Sequence, residues 1–313
     1  MKYIVFDMEW NQPAWSGGMI MNPVPLTGEI IEIGAVKLDE QLRIVDDFCV
    51  YVVPRYYRSM NRAVQRLTNI REKYLKENGV PFPQACHRFL NWCGDDFSFV
   101  SWGQNDLPML LENMRLHKIP TGDLPGCIDL QQVFARQVLQ SRQQCSLDSA
   151  LELVSETGEE AHDALHDARN TVKVCAHLNM EKDVADCTTR IFDVEPLRRE
   201  FHHRNDILRD KKLKTFCCPC CGEMVECDPW VKVNGGRSMA LGQCSRGHEY
   251  ILYMNFHKTK AETFRTARML YAMTDDLRQS YQKKLRKQME QQELRREWQS
   301  SNRKKSRKET PEA

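Results

Sequence analysis

Long hydrophobic runs are missing from this chain. Although 41% of its 313 residues are hydrophobic, no apolar segment approaches the roughly 20 residues that a membrane-spanning helix needs. The apolar stretch near the N-terminus runs only from Tyr3 to Phe6 before Asp7 interrupts it, which is too short for the core of a secretory signal peptide. The sequence therefore predicts a soluble, cytoplasmic protein with no membrane partner.

An excess of one charge is also missing overall, since the formal net charge is only +2. The charges are unevenly placed, however. Residues 277–313 hold 12 Lys and Arg against 5 Asp and Glu, while residues 1–276 hold 33 against 38. A basic tail on a mildly acidic body is typical of attraction to phosphates, and equally typical of a solvated terminal helix.

A disulfide framework is not expected, because the 13 cysteines are spaced unevenly. Seven are scattered from Cys49 to Cys187, as reduced core thiols would be. The other six crowd a short segment: Cys217, Cys218, Cys220, Cys221, Cys227 and Cys244. This crowding favours a metal site.

The first 180 residues alternate between strand and helix patterns, without internal repeats or low-complexity segments. Apolar and β-branched runs predict five strands, and stripes at i, i+3, i+4 predict helices between and after them. This pattern is typical of an α/β fold with a mixed sheet flanked by helices. The predicted strands lie at about 2–7, 29–39, 43–54, 97–103 and 127–130. The predicted helices cover 63–78 and 83–93, start near 107, 131 and 146, and end with 163–179.

Asp7 and Glu9 stand two residues apart at the end of the first strand, so both side chains are expected on one face. Carboxylate oxygens are the ligands that Mg²⁺ and Mn²⁺ prefer. Open α/β sheets bind ligands beyond the carboxyl ends of their strands. A pair of this kind, taken alone, is more often a strand end followed by a solvated side chain.

Three further residues extend this pattern. Asp106 follows the fourth strand where a helix begins, a position that also suits a simple helix cap. Asp167 borders the apolar stripe of the last helix. His162 precedes Asp167 by five residues, about 140° around an ideal helix, so both face one site only if His162 lies in the loop before the helix. There it could act as a general base; alternatively, His162 and His166 could form an i, i+4 metal pair.

The segments FDMEW (6–10), SWGQNDLPML (101–110) and HDALHDARNT (162–171) resemble the three exonuclease motifs of the DnaQ-like superfamily. The third is similar to the subclass with H-x₄-D, and the chain as a whole resembles the Eri/KapD-like branch. LTNI at 67–70 departs from the family's usual L-T-G-I at Asn69. The likeness covers roughly residues 1–180.

This resemblance implies a ribonuclease H-like mixed five-stranded sheet flanked by helices. It also implies 3′-to-5′ removal of nucleoside 5′-monophosphates from RNA or short single-stranded nucleic acid. Asp7, Glu9, Asp106 and Asp167 would hold two Mg²⁺ or Mn²⁺ ions, and His162 would take the proton from the attacking water.

Two alternatives remain open beside the exoribonuclease. A non-catalytic nucleic-acid-binding or regulatory protein could retain the fold, although the intact set of five residues argues against it. A DNA-directed 3′-to-5′ exonuclease is the second, because the motifs do not specify contacts to the 2′-hydroxyl that distinguish RNA from DNA.

Met8, Trp10 and Trp102 lie beside the motifs. They could stack on the terminal base, as aromatic side chains do in proteins that bind single strands. Core packing explains these residues equally well.

A second constellation has the spacing C-x₂-C, 22 residues, C-x₃-H, formed by Cys218, Cys221, Cys244 and His248. Two such knuckles typically make a closed tetrahedral zinc site in a segment whose own core is small. Cys217 and Cys220 are an alternative first pair, and Cys227 is a spare thiol. The sequence predicts one structural Zn²⁺ here.

The predicted organisation has four parts. Residues 1–182 form the exonuclease domain, 183–214 a linker or helical bridge, 215–258 a small zinc-ribbon-like module, and 259–313 a basic helical tail. The helix is expected to begin near Ala261, and residues beyond Ser300 are expected to be disordered.

Overall fold

A seven-stranded sheet, a five-stranded sheet and a two-stranded hairpin organise the chain. The computed structural model describes residues 2–14, 18–21, 25–121, 124–192, 194, 199–234 and 236–308, without the side chains of residues 297 and 299–308. No helix in these ranges is long and apolar enough to cross a membrane.

The first sheet contains the strands β1 (Lys2–Asn11), β2 (Glu29–Leu38), β3 (Ile44–Val53), β4 (Val80–Pro81), β5 (Phe97–Ser101), β6 (Cys127–Asp129) and β7 (Thr188–Thr189). Their order is β4-β3-β2-β1-β5-β6-β7. Strand β2 is antiparallel to both of its neighbours, β1 and β3, and β5 and β6 run parallel to β1. The five predicted strands form the sheet, and two-residue strands extend each edge. The mixed sheet flanked by helices is confirmed.

The helices of this domain are α1 (Arg62–Thr68), α2 (Glu72–Asn78), α3 (Phe82–Cys93), α4 (Asp106–Leu116), α5 (Leu130–Gln137), α6 (Leu147–Leu153) and α7 (Ala164–Cys175). A single helix over 63–78 was wrong: Asn69 ends α1 in the left-handed conformation, with φ 57°. Asparagine tolerates this backbone better than most residues, so it fills the position where the resembled family often has glycine.

The two faces of this sheet bury different apolar sets because side chains alternate along each strand. On β1, Phe6 and Met8 join a cluster with α3 and α4. Val5 faces the opposite cluster, which includes residues of α5 and α7. The acidic residues Asp7 and Glu9 therefore continue the face that α7 covers.

The C-terminal half adds the strands β8 (Ile191–Phe192), β9 (Thr215–Cys217), β10 (Met224–Glu226), β11 (Trp230–Asn234), β12 (Arg237–Gln243), β13 (Glu249–Lys258) and β14 (Phe264–Ala272). It also adds the helices α8 (Arg204–Arg209), α9 (Lys211–Lys214) and α10 (Asp275–Lys308). The five-stranded sheet has the order β11-β12-β13-β14-β8 and is antiparallel throughout, while β9 and β10 form the separate hairpin.

One expectation about the C-terminal region was wrong. The helix does not start near Ala261, because Phe264–Ala272 is strand β14 and pairs with β13 along nine residues. The module therefore extends past residue 258. Helix α10 continues past Ser300 to Lys308, and residues 309–313 lie outside the described residues; the disorder expected beyond Ser300 stays a prediction.

The segment 183–214 is not a free linker. Its strand β7 joins the first sheet and β8 joins the second, with only Arg190 between them. Met269 and Tyr271 of β14 pack into the same apolar cluster as α3 and α4. The ion pair between Arg136 and Asp276, at 2.6 Å, also joins the halves. The two sheets thus share one continuous core.

Candidate active site and metal sites

The five predicted catalytic residues come from three separate segments. The first segment is the end of β1, which borders a gap in the sheet. The parallel pairing of β1 with β5 ends at Val5 and Val100, so β1 continues without a neighbour on that side. Asp106, the first residue of α4, reaches into this gap. Its Oδ1 accepts a hydrogen bond from the backbone N–H of Met8 at 3.1 Å. Asp106 is thereby held at the backbone of Met8, which lies between Asp7 and Glu9 in the chain. The Asp106 side chain is buried there.

Helix α7 supplies the third segment. Asp163 caps the helix, because its Oδ1 accepts hydrogen bonds from the backbone N–H groups of Leu165 and His166 at 3.1 and 3.0 Å. His162 lies in the loop before the cap, at φ 68°. Its backbone N–H donates to Oδ2 of Asp167 at 3.0 Å. The location of His162 in the loop agrees with the sequence argument.

Glu9, His162 and Asp167 each offer a ligand atom within 4.8 Å of the other two. His162 is exposed, while the two carboxylates are half-buried. His166 is not part of this group; its ring lies near Glu159 and Asp163, at 3.7 and 3.9 Å. The alternative metal pair of His162 and His166 therefore finds no support in the geometry.

Burial, and after it mutual repulsion, raises the pKa values of these carboxylates. Burial raises the pKa of Asp106 to about 7, against a hydrogen bond from Met8 that lowers it. Burial and the charges of Asp167, Glu32 and Asp106 raise the pKa of Glu9 to about 8. The pKa of Asp7 is also raised well above its usual range by burial and by Asp106. Such a cluster favours binding of divalent cations, which relieve both the burial and the repulsion.

Sequence reasoning missed Gly34 and Glu32, the residues of β2 that pair with Asp7 and Glu9. A Cβ atom on Gly34 would lie 2.1 Å from the backbone nitrogen of Leu165, so only glycine lets α7 start directly on the sheet. Oε2 of Glu32 accepts a hydrogen bond from the backbone N–H of Ala164 at 3.3 Å. The signal was a glycine inside a strand, which often marks a close backbone approach.

The three residues proposed to contact a base have different environments. Met8 is only 2% exposed and packs in the core, so its assignment to the substrate was wrong: it points away from Asp7 and Glu9. Trp102 packs edge to face against Phe134, with ring centroids 5.7 Å apart. Trp10 alone lines an open cleft.

The second constellation converges as its spacing predicts. Cys218, Cys221, Cys244 and His248 each offer a ligand atom, and these atoms all lie within 4.8 Å of one another. The Cys221 and Cys244 sulfurs are 3.8 Å apart, and Nδ1 of His248 is 3.3 Å from the Cys244 sulfur. A tetrahedron with Zn–S distances of about 2.3 Å has edges of about 3.8 Å, so the spacing fits zinc.

The turns of two hairpins supply these ligands. Cys218 and Cys221 lie between β9 and β10, and Cys244 and His248 lie between β12 and β13. The alternative pair, Cys217 and Cys220, is exposed and outside the group. Cys227 is buried in the apolar cluster of this module.

Comparison with known proteins identifies the N-terminal half. A family model described as Exonuclease matches residues 18–175, which include Asp106, His162 and Asp167 but begin after Asp7 and Glu9. A search of curated proteins found no match.

One solved structure with a similar fold is the nuclease domain of 3′hExo, described as a DEDDh family member bound to rAMP. It is 22% identical, with a TM-score of 0.50, over 62% of this chain and 97% of that one. A 3′-exonuclease described as recognising a histone mRNA stem-loop is 20% identical over 58% and 82% of the chains, with a TM-score of 0.49. E. coli exonuclease I with a dA16 oligonucleotide is 13% identical over 77% and 54%, with a TM-score of 0.46.

Proposed function

This chain belongs to the exonuclease family, and on that premise we propose that it is a divalent-metal-dependent 3′-to-5′ exonuclease acting on RNA or short single-stranded nucleic acid. The observation that carries the proposal is the convergence of carboxylates from three distant segments. The carboxylates of these segments form one cluster in which Asp106 is buried, and Glu9 and Asp167 lie beside His162. Burial raises the pKa values of Asp7, Glu9, Asp106 and Asp167. The preference for RNA rests on the motif resemblance in the sequence.

The donor set fits two Mg²⁺ or Mn²⁺ ions, because hard divalent cations prefer carboxylate oxygens, and a bound cation would offset the burial and repulsion that raise the pKa values of these carboxylates. When bound, such ions supply an activated water and stabilise the departing oxygen. Asp7, Glu9, Asp106 and Asp167 would hold them. His162, exposed in its loop, would accept a proton from the water at a ring nitrogen, and Asp167 would fix the loop through the His162 N–H.

The test is incubation of purified protein with Mn²⁺ and 5′-labelled single strands of RNA and of matched DNA. We expect shortening from the 3′ end with release of nucleoside 5′-monophosphates, and complete loss of turnover in Asp7→Ala. Asp95→Ala, which replaces an exposed aspartate outside the site, is the control. Wild-type inactivity on both strands would contradict the proposal, and the ratio of the two rates decides between RNA and DNA.

We further propose one structural Zn²⁺ bound by Cys218, Cys221, Cys244 and His248. The hydroxyl of Tyr250 lies 3.1 Å from the Cys218 sulfur and would stabilise the thiolate from outside the ligand set. The ion would tie the β9–β10 hairpin to the five-stranded sheet, since each supplies half of the ligands.

A further inference from the structure

The two halves of the molecule enclose a cleft of about 420 Å³. Trp10 and Asn105 line its wall on the exonuclease side, and each is the chain neighbour of a proposed metal ligand, Glu9 or Asp106. The opposite wall comes from the five-stranded sheet, through Arg237, Tyr253 and Asn255. The proposed metal ligands do not themselves line the cleft; it borders two of their chain neighbours, Trp10 and Asn105, and leads between the two halves.

Arg237 is the cationic side chain of this cleft, and it is held in place without a carboxylate partner. Its guanidinium carbon lies 3.8 Å from the ring centroid of Tyr253, a cation–π contact. No ion pair involves Arg237 among the described residues, and its buried Nε has no hydrogen-bond partner there. The guanidinium also donates a hydrogen bond to the Tyr271 side chain. Fixed by these two aromatic residues and without an ion pair, it is suited to a phosphate group.

Each acidic residue of the cleft already has a hydrogen-bond or ion-pair partner, so none of them takes the place of a phosphate at Arg237. Glu112 accepts hydrogen bonds from the backbone N–H and the hydroxyl of Thr27. Asp276 pairs with Arg136 and Arg142, and Asp186 with Arg136.

Trp10 adds an aromatic surface on the facing wall. A Cβ atom on Gly28 would lie 2.5 Å from Cδ1 of this indole, so glycine at this position leaves the space that the ring occupies. A flat ring opposite a fixed guanidinium matches the alternation of base and phosphate in a single strand. A second groove continues the cleft: it shares Asp276 and Ser280 with it and is lined by Arg142, Lys283 and Arg286.

We propose that this cleft binds the single strand upstream of its 3′ end, with Arg237 contacting a backbone phosphate and Trp10 stacking on a base. The inference rests on the proposed function, since it takes the 3′ end to lie at the carboxylate cluster. It gives the C-terminal module a role in the reaction: its sheet forms one wall of the substrate path, and substrates of one nucleotide do not reach it.

The experiment compares two substrates in wild type and Arg237→Ala. The first is the p-nitrophenyl ester of thymidine 5′-monophosphate, which occupies the metal site alone, and the second is a ten-nucleotide single strand, as RNA and as DNA. We expect Arg237→Ala to lower the ratio of kcat/KM on the strand to kcat/KM on the ester by about tenfold, the effect of one charge-assisted hydrogen bond. Arg237→Lys should restore part of this loss.

The matched control is Arg209→Ala, which replaces an exposed arginine of α8 that lines neither groove and should leave the ratio unchanged. Anisotropy of a labelled strand in Ca²⁺ measures binding without turnover, and melting curves check that each variant is folded. Unchanged strand affinity and an unchanged ratio in folded Arg237→Ala would overturn the inference while leaving the proposed exonuclease intact. Failure of wild type to cleave either substrate would instead contradict the proposed exonuclease activity. The anisotropy measurement would still show whether the cleft binds the strand.

Discussion

At the scale of single residues, His162 separates the catalytic proposal from a purely structural one. His162→Asn should lower kcat by about 10²- to 10⁴-fold, the usual contribution of a general base. Asparagine tolerates positive φ better than most residues, so the backbone at φ 68° should be kept. Steady-state kinetics with Mn²⁺ give the change, and an unchanged melting temperature shows that the loop is intact.

His166→Asn is the matched control, because His166 is four residues further along the chain and outside the group formed by Glu9, His162 and Asp167. We expect less than about a threefold effect on kcat from this exchange of a half-buried polar side chain. Equal losses in both variants would instead favour a shared metal-binding role.

The carboxylate cluster predicts that stability without metal falls as pH rises. An aspartate in the unfolded chain has a pKa near 4, whereas the pKa of Asp106 in the folded protein is about 7. Between these values the unfolded chain loses a proton that the folded protein keeps, so the free energy of unfolding decreases with increasing pH. From pH 4 to 8 Asp106 alone contributes a loss of about 2–4 kcal/mol, as an upper range.

Asp106→Asn keeps an oxygen that can accept the Met8 N–H and removes the charge. In EDTA this variant should lose less stability between pH 5 and 8 than wild type, as measured by urea unfolding. Mn²⁺ should stabilise wild type more than the variant. Parallel pH profiles for the two proteins would show that Asp106 is not the source of the dependence.

The sequence could predict which carboxylates would come together, because Asp7, Glu9, Asp106 and Asp167 lie at strand ends and helix starts that the apolar patterns define. It could not predict that Met8 is buried or that Trp10 faces a second sheet. Alternation along a strand says which residues share a face, but not what covers that face. The location of Arg237 opposite Trp10 depends on the docking of two sheets, which no local pattern encodes.

At the scale of elements, Gly34 controls where α7 lies. Gly34→Ala would bring a methyl group to 2.1 Å from the Leu165 nitrogen. Only a shift of the backbone could relieve this contact. We expect a loss of about 2–4 kcal/mol in the free energy of unfolding, similar to other overpacked cores. Because α7 carries Asp167, kcat/KM should also fall by at least tenfold at temperatures where the variant is folded.

Gly236→Ala is the control for this substitution, since a Cβ atom there meets its nearest neighbour at an ordinary 3.8 Å. It should change stability by less than about 1 kcal/mol. A Gly34→Ala variant as stable and active as Gly236→Ala would show that α7 is not seated directly on β2.

The zinc knuckles predict a clear difference between neighbouring cysteines. Cys218→Ser removes a proposed ligand, whereas Cys217→Ser alters an exposed thiol one residue away. Metal analysis of the full chain should find one zinc per molecule in wild type and Cys217→Ser, and less in Cys218→Ser, with a lower melting temperature. Zinc retained in Cys218→Ser but lost in Cys217→Ser would select the alternative pair.

The elements that the sequence predicted wrongly have identifiable reasons. Strand β14 contains Arg268, which is 5% exposed because its guanidinium donates to the backbone carbonyls of Lys212, Leu213 and Thr215. A charged residue at a buried position hides the alternation of a strand. The break after Thr68 depends on one left-handed residue, Asn69, within an otherwise helical pattern.

At the scale of the whole molecule, the basic tail divides into two parts with different roles. Leu277, Tyr281 and Leu285 of α10 pack on the five-stranded sheet, so this part of the helix belongs to the module. Residues 277–288 contain five Lys and Arg and no Asp or Glu, whereas residues 289–313 contain seven against five. The positive excess therefore lies beside the cleft and not in the distal tail.

This distribution predicts that Lys283→Glu with Arg286→Glu weakens strand binding more than truncation after residue 288. Both side chains line the groove that continues the cleft, and each phosphate contact on a single strand contributes about 0.7 to the slope of log K against log salt. The double variant should flatten that slope by about 1.4, and the truncation should change it by less than half as much. Anisotropy titrations of a labelled ten-nucleotide strand at several salt concentrations measure both slopes. If truncation after residue 288 instead changed the salt slope more than the double variant did, the strand would lie along the exposed end of α10, away from the cleft that Arg237 lines.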